Sequence, residues 1–137
     1  MPIADRIKEL IFDITNINLP IGSLDITFHR DDFRGRLSMP EIRGTDIHFS
    51  LDNKVVILVD DVLYSGRTIR AALDEINSFG RPSIVRLAVL VDRGHRELPI
   101  RADFVGKNIP THSGEHVEVH LEETDDKEGV FLVKENN

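Results

Sequence analysis

Val55-Val56-Ile57-Leu58-Val59-Asp60-Asp61-Val62-Leu63-Tyr64-Ser65-Gly66-Arg67-Thr68 is the stretch on which the reading of this chain turns. Five apolar, mostly β-branched residues, Val55 to Val59, predict a strand buried on both faces, as in a parallel sheet. Two carboxylates follow where that strand is expected to end. A Ser-Gly-Arg-Thr loop then runs into an amphipathic segment. Free backbone N–H groups and hydroxyls at a helix N-terminus cradle phosphate, and adjacent carboxylates accept hydrogen bonds from sugar hydroxyls. The junction therefore implies a ligand that carries both a phosphate and a diol.

Downstream of the loop, Ile69, Ala72, Leu73, Ile76 and Phe79 recur at helical spacing, and Gly80 followed by Pro82 predicts a left-handed stop. Ile84 to Val91 reads as a second apolar strand, so strand, helix and strand form a crossover in a parallel sheet. Phe104-Val105 predicts a short strand. Val117, Val119 and Leu121 alternate with Glu118 and His120 as in an edge strand, and Val130 to Val133 is expected to close the sheet. Upstream, Ile3, Ala4, Ile7, Leu10 and Ile11 mark an amphipathic helix. Leu24 to Phe28 reads as a strand, His29 to Gly44 as a charged loop or loose hairpin, and Ile47 to Leu51 as a short strand. Ligands of open α/β sheets bind at the carboxyl ends of the strands, where Asp60, Asp61, Asp92 and Arg93 all fall.

The 137 residues suit one domain, 1–137, with a single packed core. There is no cysteine, so disulfides and thiolate metal sites are out of consideration. No apolar run matches a membrane span and Met1 to Arg6 is no secretory signal, which makes the cytoplasm the default location. The net charge of −7 argues against nucleic-acid binding through the whole surface. Charge is unevenly placed, however: eight acids against Lys127 and Lys134 lie from Glu115 onward, whereas Arg93, His95, Arg96, Arg101 and Lys107 cluster before it. That basic stretch is either a solvated surface or a local face for an RNA backbone. His116 and His120, four apart on a strand, share a face without a third ligand, so no structural metal is assigned.

The Val55–Thr68 run resembles the phosphoribosyl-pyrophosphate (PRPP) motif of the type I phosphoribosyltransferases. Asp25-Ile26-Thr27, Arg30-Asp31-Asp32, Val91 to Pro99 and Val105 to Pro110 resemble one subfamily, the bifunctional pyrimidine-operon RNA attenuators and uracil phosphoribosyltransferases. The resemblance implies an α/β fold with a parallel sheet in three Rossmann-like layers. It also implies transfer of the ribose phosphate of PRPP to uracil N1, giving uridine monophosphate (UMP) and pyrophosphate. Asp60 and Asp61 are then the catalytic acid pair on the ribose hydroxyls. Val62, Leu63, Tyr64, Ser65, Gly66, Arg67 and Thr68 supply the phosphate loop. Arg30 and Arg93 contact PRPP or UMP, and the backbone of Val117 reads the base. Tyr64 stands where purine-using relatives carry an aspartate, which favours a pyrimidine. Mg²⁺ accompanies PRPP as cofactor. By the same resemblance Arg96, Arg101 and Lys107 contact the leader mRNA of the pyrimidine operon, and the protein assembles as a dimer or larger oligomer.

The likeness departs at the N-terminus, where family members begin with a helix, a strand and a pyrophosphate loop before the segment matching Met1 to Ile11. The implied fold therefore lacks the first strand and that loop, and these 137 residues alone are expected to show strongly reduced or absent transferase activity. A non-catalytic, nucleotide-sensing RNA-binding regulator and a purine-type phosphoribosyltransferase are the rival readings. A receiver domain shares the acid pair but leaves the Ser-Gly-Arg-Thr loop unexplained.

Overall fold

A computed structural model describes residues 2–26 and 45–134. Seven elements follow in chain order: α1 (Pro2–Thr15), β1 (Val55–Leu63), α2 (Arg67–Phe79), β2 (Ile84–Asp92), β3 (Phe104–Asn108), β4 (Glu115–His120) and β5 (Gly129–Lys134). Strands β1, β2 and β3 pair in parallel, in that order. The β4–β5 pair is an antiparallel hairpin of its own. The expectation that Val130 to Val133 closes the main sheet is thus corrected: among the described residues those four pair with β4 and not with the main sheet. Gly114, with φ of 83°, turns the chain just before β4, and the hairpin itself reverses between His120 and Gly129.

Alternation along β2 assigns the two faces of the sheet. Leu87, Val89 and Val91 are buried, and Leu87 and Val89 form a core cluster with Leu63 and Ile69, against which Leu58 and Leu73 pack. Since Ile69 and Leu73 belong to α2, this is the α2 side. Ala88 and Leu90 point to the opposite face, where Ile3 and Ile7 of α1 share a groove with Val59 and Val105. The sheet therefore lies between helices, in the three-layer arrangement that strands of this composition require. Among the described strands β1 stands at one edge, and its Val55 and Ile57 are exposed.

Each helix end has a local cause. Pro2 begins α1, where a missing N–H costs nothing and φ is already helical. Asn16, with φ of 62°, ends it by donating its amide to the Phe12 carbonyl at 2.8 Å. Arg6 then ties α1 to the hairpin, its guanidinium donating to both Glu123 oxygens at 2.7 and 2.5 Å and to Glu128 at 2.6 Å. This fork holds the Glu123 carboxyl down at about 2.

Four sequence expectations change in detail. Gly80 is not left-handed. Its φ of 161° is extended backbone, and the constraint there is space, because a Cβ would meet Asp52 Oδ1 at 3.0 Å and Leu51 Cβ at 3.2 Å. No strand forms over Ile47–Leu51. A single bridge pairs Ser23 with Asp46, and the segment is fixed by burial of Leu51 instead. Residues 24–26 carry no strand, and the rest of the expected strand and the whole 29–44 loop lie outside the described residues. Strand β1 also runs four residues past Val59, because β2 is long enough to pair Asp60 with Val89 and Val62 with Val91.

Gly106 lies in β3, where a Cβ would come within 2.6 Å of the Leu90 carbonyl oxygen. Backbone rather than a movable side chain blocks that space. Gly106→Ala is expected to destabilise the fold by about 1–3 kcal/mol through forced separation of β2 and β3, as read by urea unfolding. An unchanged midpoint would contradict the packing described here.

Candidate active site

The carboxyl ends of β1 and β2, the loop after β1 and the start of β4 converge on one place. Asp60 and Asp61 occupy the last part of β1, both half-buried. Their carboxylates turn back on the strand: Asp60 Oδ1 accepts the Asp61 amide at 2.8 Å, and Asp61 Oδ1 accepts the Val62 amide at 2.7 Å. Burial pushes the Asp60 carboxyl up to about 7, and the neighbouring Asp61 adds to this through a side-chain hydrogen bond and like charge. The acid pair thus holds its negative charge at a cost that a cationic or hydroxyl-bearing ligand would relieve.

The next residues form the loop. Val62 is half-buried and Leu63 is 1% exposed, so the end of β1 anchors the loop in the core. Gly66 has φ of 94° and caps α2 without a side-chain hydrogen bond. That conformation favours glycine, and a Cβ there would also crowd Ile100 at 3.3 Å. Ser65 Oγ accepts the Arg67 amide at 3.2 Å. The amides of Ser65, Gly66 and Thr68 donate to no acceptor among the described residues, and Thr68 is exposed. A helix start whose amides are left without acceptors binds anions through both its N–H groups and its dipole.

A second segment holds this loop from outside. The Ser65 carbonyl accepts the amides of Glu97 and Leu98 at 2.9 and 3.1 Å. Arg67 Nε donates to Glu97 Oε1 at 2.6 Å. Arg96 reaches the Tyr64 carbonyl at 3.0 Å. None of these ties was legible in the sequence, since Glu97 looked like an unremarked charge between basic residues.

Arg93 and Tyr64 form the far wall. The guanidinium carbon of Arg93 lies 3.9 Å from the Tyr64 ring centroid, a cation–π stack. Arg93 Nε donates to Thr111 Oγ1 at 3.2 Å, and its NH2 group donates to the Glu115 carbonyl at 2.7 Å. His95 meets the same tyrosine edge-on at 6.4 Å. These contacts bring the end of β2 to the start of β4, two residues before the buried Val117. Thr111, 6% exposed, is a further residue that sequence reasoning missed.

The remaining expected residues divide. Arg101 and Lys107 are exposed. Arg96 is turned inward onto Asp92, Tyr64 and Ile100. Arg30 lies outside the described residues. His116, Glu118 and His120 share one face of β4, with His–Glu contacts of 3.3 and 3.2 Å, and no group of three metal-ligating side chains occurs among the described residues. A cavity of about 550 Å³ lies elsewhere, between α1, the far face of the sheet and the hairpin. Its lining is mainly apolar and includes neither the acid pair nor the loop, so it is not the site.

β1 is not buried on both faces as its composition suggested, since Val55 and Ile57 are exposed at the sheet edge, but a parallel strand that ends in an acid pair and passes through an open loop into a helix is the framework of a phosphoribosyltransferase. The phosphoribosyl transferase domain family matches residues 3–124. Proteins named bifunctional protein PyrR are similar over nearly the whole chain. That of Pelotomaculum thermopropionicum is 53% identical over 98% of this chain and 74% of its own. That of Chloroflexus aurantiacus is 53% identical with the same coverage, and that of Listeria monocytogenes is 50% identical over 98% and 75%. The chain belongs to the PyrR family of phosphoribosyltransferases. A hypoxanthine phosphoribosyltransferase from Staphylococcus aureus aligns over 47% of this chain and 35% of its own, at 30% identity and a TM-score of 0.43, too loosely to bear on the base taken here. No helix of the described residues is long and apolar enough to cross a membrane.

The Asp60 environment has a pH signature. Its carboxyl titrates near 7 when folded and near its ordinary value, about 3.9, when unfolded. The folded state therefore holds a proton that the unfolded chain releases, so this group's contribution to stability falls as pH rises from about 4 to about 7. Asp60→Asn is expected to gain stability relative to the parent at pH 8 and to lose that advantage at pH 5, as read by denaturant midpoints. A difference independent of pH would contradict the assignment.

Proposed function

We propose that the site binds PRPP and UMP and transfers the ribose 5-phosphate to uracil. The observation that carries this reading is the adjacency of two opposite binding surfaces: amides left without acceptors among the described residues at the α2 start and a charge-strained acid pair on β1. One suits the 5′-phosphate, the other the ribose 2′- and 3′-hydroxyls. In the reaction uracil N1 gives up its proton to solvent and bonds to ribose C1 while the bond from C1 to the pyrophosphate oxygen breaks, the electron pair leaving with pyrophosphate. Positive charge develops on the ribose as the leaving group departs. Asp60 and Asp61 favour that charge electrostatically, and the loop fixes the sugar for in-line attack. Magnesium suits the pyrophosphate oxygens of PRPP and the hard carboxylates nearby, and it would supply charge neutralisation to the leaving group. With no three-ligand cluster among the described residues, the chain's own contribution is the acid pair.

The Tyr64–Arg93 stack supports a pyrimidine. A guanidinium held at 3.9 Å occupies one face of the ring, and tyrosine stands where purine-using relatives carry an aspartate. Arg30, by family resemblance, would meet PRPP, and the Val117 backbone would read the base edge.

The same reading includes regulation. The exposed Arg101 and Lys107 would contact phosphates of the pyrimidine-operon leader mRNA, giving salt-dependent affinity, and an unstacked loop or bulge would supply sequence preference. UMP would favour RNA binding by differential affinity for one state of the protein. Self-association into a dimer or larger assembly belongs to this reading as well.

Calorimetry with UMP and inosine monophosphate tests the base. UMP is expected to bind, with the purine nucleotide at least about tenfold weaker, a gap of roughly 1.4 kcal/mol. Equal affinities would favour a purine-type enzyme, and no affinity for either would refute the reading. For the RNA arm, a gel shift with the leader RNA should tighten when UMP is added and weaken for Arg101→Ala. Affinity indifferent to both changes would remove the regulatory half.

A further inference from the structure

Arg96 makes more hydrogen bonds from one guanidinium than any surface role requires. Its NH1 and NH2 groups grip Asp92 at 3.0 and 2.7 Å, NH1 also donates to the Tyr64 carbonyl at 3.0 Å, and Nε donates to the Ile100 carbonyl at 2.8 Å. The two side chains are only 25% and 16% exposed. Asp92 also accepts the Gly94 amide at 3.0 Å, and Arg96 holds its carboxyl below the usual carboxylate range. The chain between them reverses through Gly94 and His95, with φ of 82° and 64°. Left-handed backbone at a non-glycine residue is unfavourable and persists where surrounding contacts over-determine it. Here those contacts include His95 Nε2 against the Thr111 carbonyl at 2.5 Å.

Three separate segments meet at this one side chain: the Asp92 carboxylate at the end of β2, the backbone carbonyl of the first residue after β1, and that of Ile100 in the turn that packs on Gly66. We propose that Arg96 is a positioning residue that locks the Tyr64–Thr68 loop in its phosphate-accepting shape, with Asp92 as its anchor. It acts on the ligand through the Tyr64 carbonyl and through the amides of Glu97 and Leu98 on the Ser65 carbonyl, without touching the phosphate. A planar fork is required, because a lysine could not reach Asp92, Tyr64 and Ile100 together. The inference rests on the reading that this loop takes the phosphate of UMP.

Calorimetric titration of the full chain with UMP and with uridine, which lacks the phosphate, separates the roles. Arg96→Gln is expected to weaken UMP by about tenfold or more, the size expected when charge-assisted hydrogen bonds are lost. Uridine affinity should change by less than about twofold, and Arg96→Lys should recover only part of the loss. An equal loss for both ligands would mean that Arg96 merely supports the fold, and no loss for either would mean that the loop is set without it; both results overturn the proposal. Should Arg96→Gln fail to fold, Asp92→Asn keeps shape and acceptor and must show the same split between the two ligands. A parent chain that binds neither ligand overturns the phosphate reading itself, and with it this inference.

Discussion

The carbonyl oxygen of Ser65 accepts two amides from a segment more than thirty residues away in sequence, and the site depends on that contact. A loop that offers its N–H groups to an anion must have its own C=O groups occupied elsewhere, or it would close on itself. Glu97 and Leu98 provide that occupation at 2.9 and 3.1 Å. Their position follows from the parallel pairing of β1 with β2, since Leu63 pairs with Asp92 and the chain after each strand leaves the sheet at the same level. Sheet register, loop conformation and ligand geometry are therefore one constraint met at three scales.

That constraint explains how polar the centre is allowed to be. Asp60 and Asp61 lie side by side in a strand whose neighbours are Val59 and Val62, and the arrangement is unfavourable without ligand. Burial and mutual repulsion raise one carboxyl toward neutrality. Such strain is tolerated where the surroundings are rigid, and Leu63, Ile69, Leu87 and Val89 supply the rigidity directly beneath. Arg93 adds a second fixed charge on the opposite wall, stacked on Tyr64 and tied to β4 through the Glu115 carbonyl.

Much of this was legible in the residues. The period-breaking run from Val55 to Thr68 announces strand, acid pair and loop, and the helical spacing from Ile69 to Phe79 places α2 to within two residues at its start and at its last residue, Phe79, at its end. What could not be read depends on contacts between distant segments. Arg96 looked like one of several exposed bases. Its inward turn follows from a left-handed Gly94-His95 reversal, which leaves no composition signal beyond one glycine. Gly80 looked like a helix stop for conformational reasons, whereas its need is room against Leu51 and Asp52. The β4–β5 hairpin alternates like any edge pair, and alternation cannot say which sheet a strand joins. Glu75, buried on α2 where Thr45 donates to it at 3.3 Å, interrupts an otherwise apolar face for a reason visible only in three dimensions.

Sheet register, loop conformation and acid pair converge on nucleotide phosphate held by the amides that open α2, as proposed. Two-dimensional amide NMR of the chain titrated with UMP addresses it most directly. The largest shifts are expected at Ser65, Gly66 and Thr68, with smaller ones at Asp60 and Asp61. Saturable binding that leaves those amides unmoved and instead shifts residues of the α1 groove would contradict it.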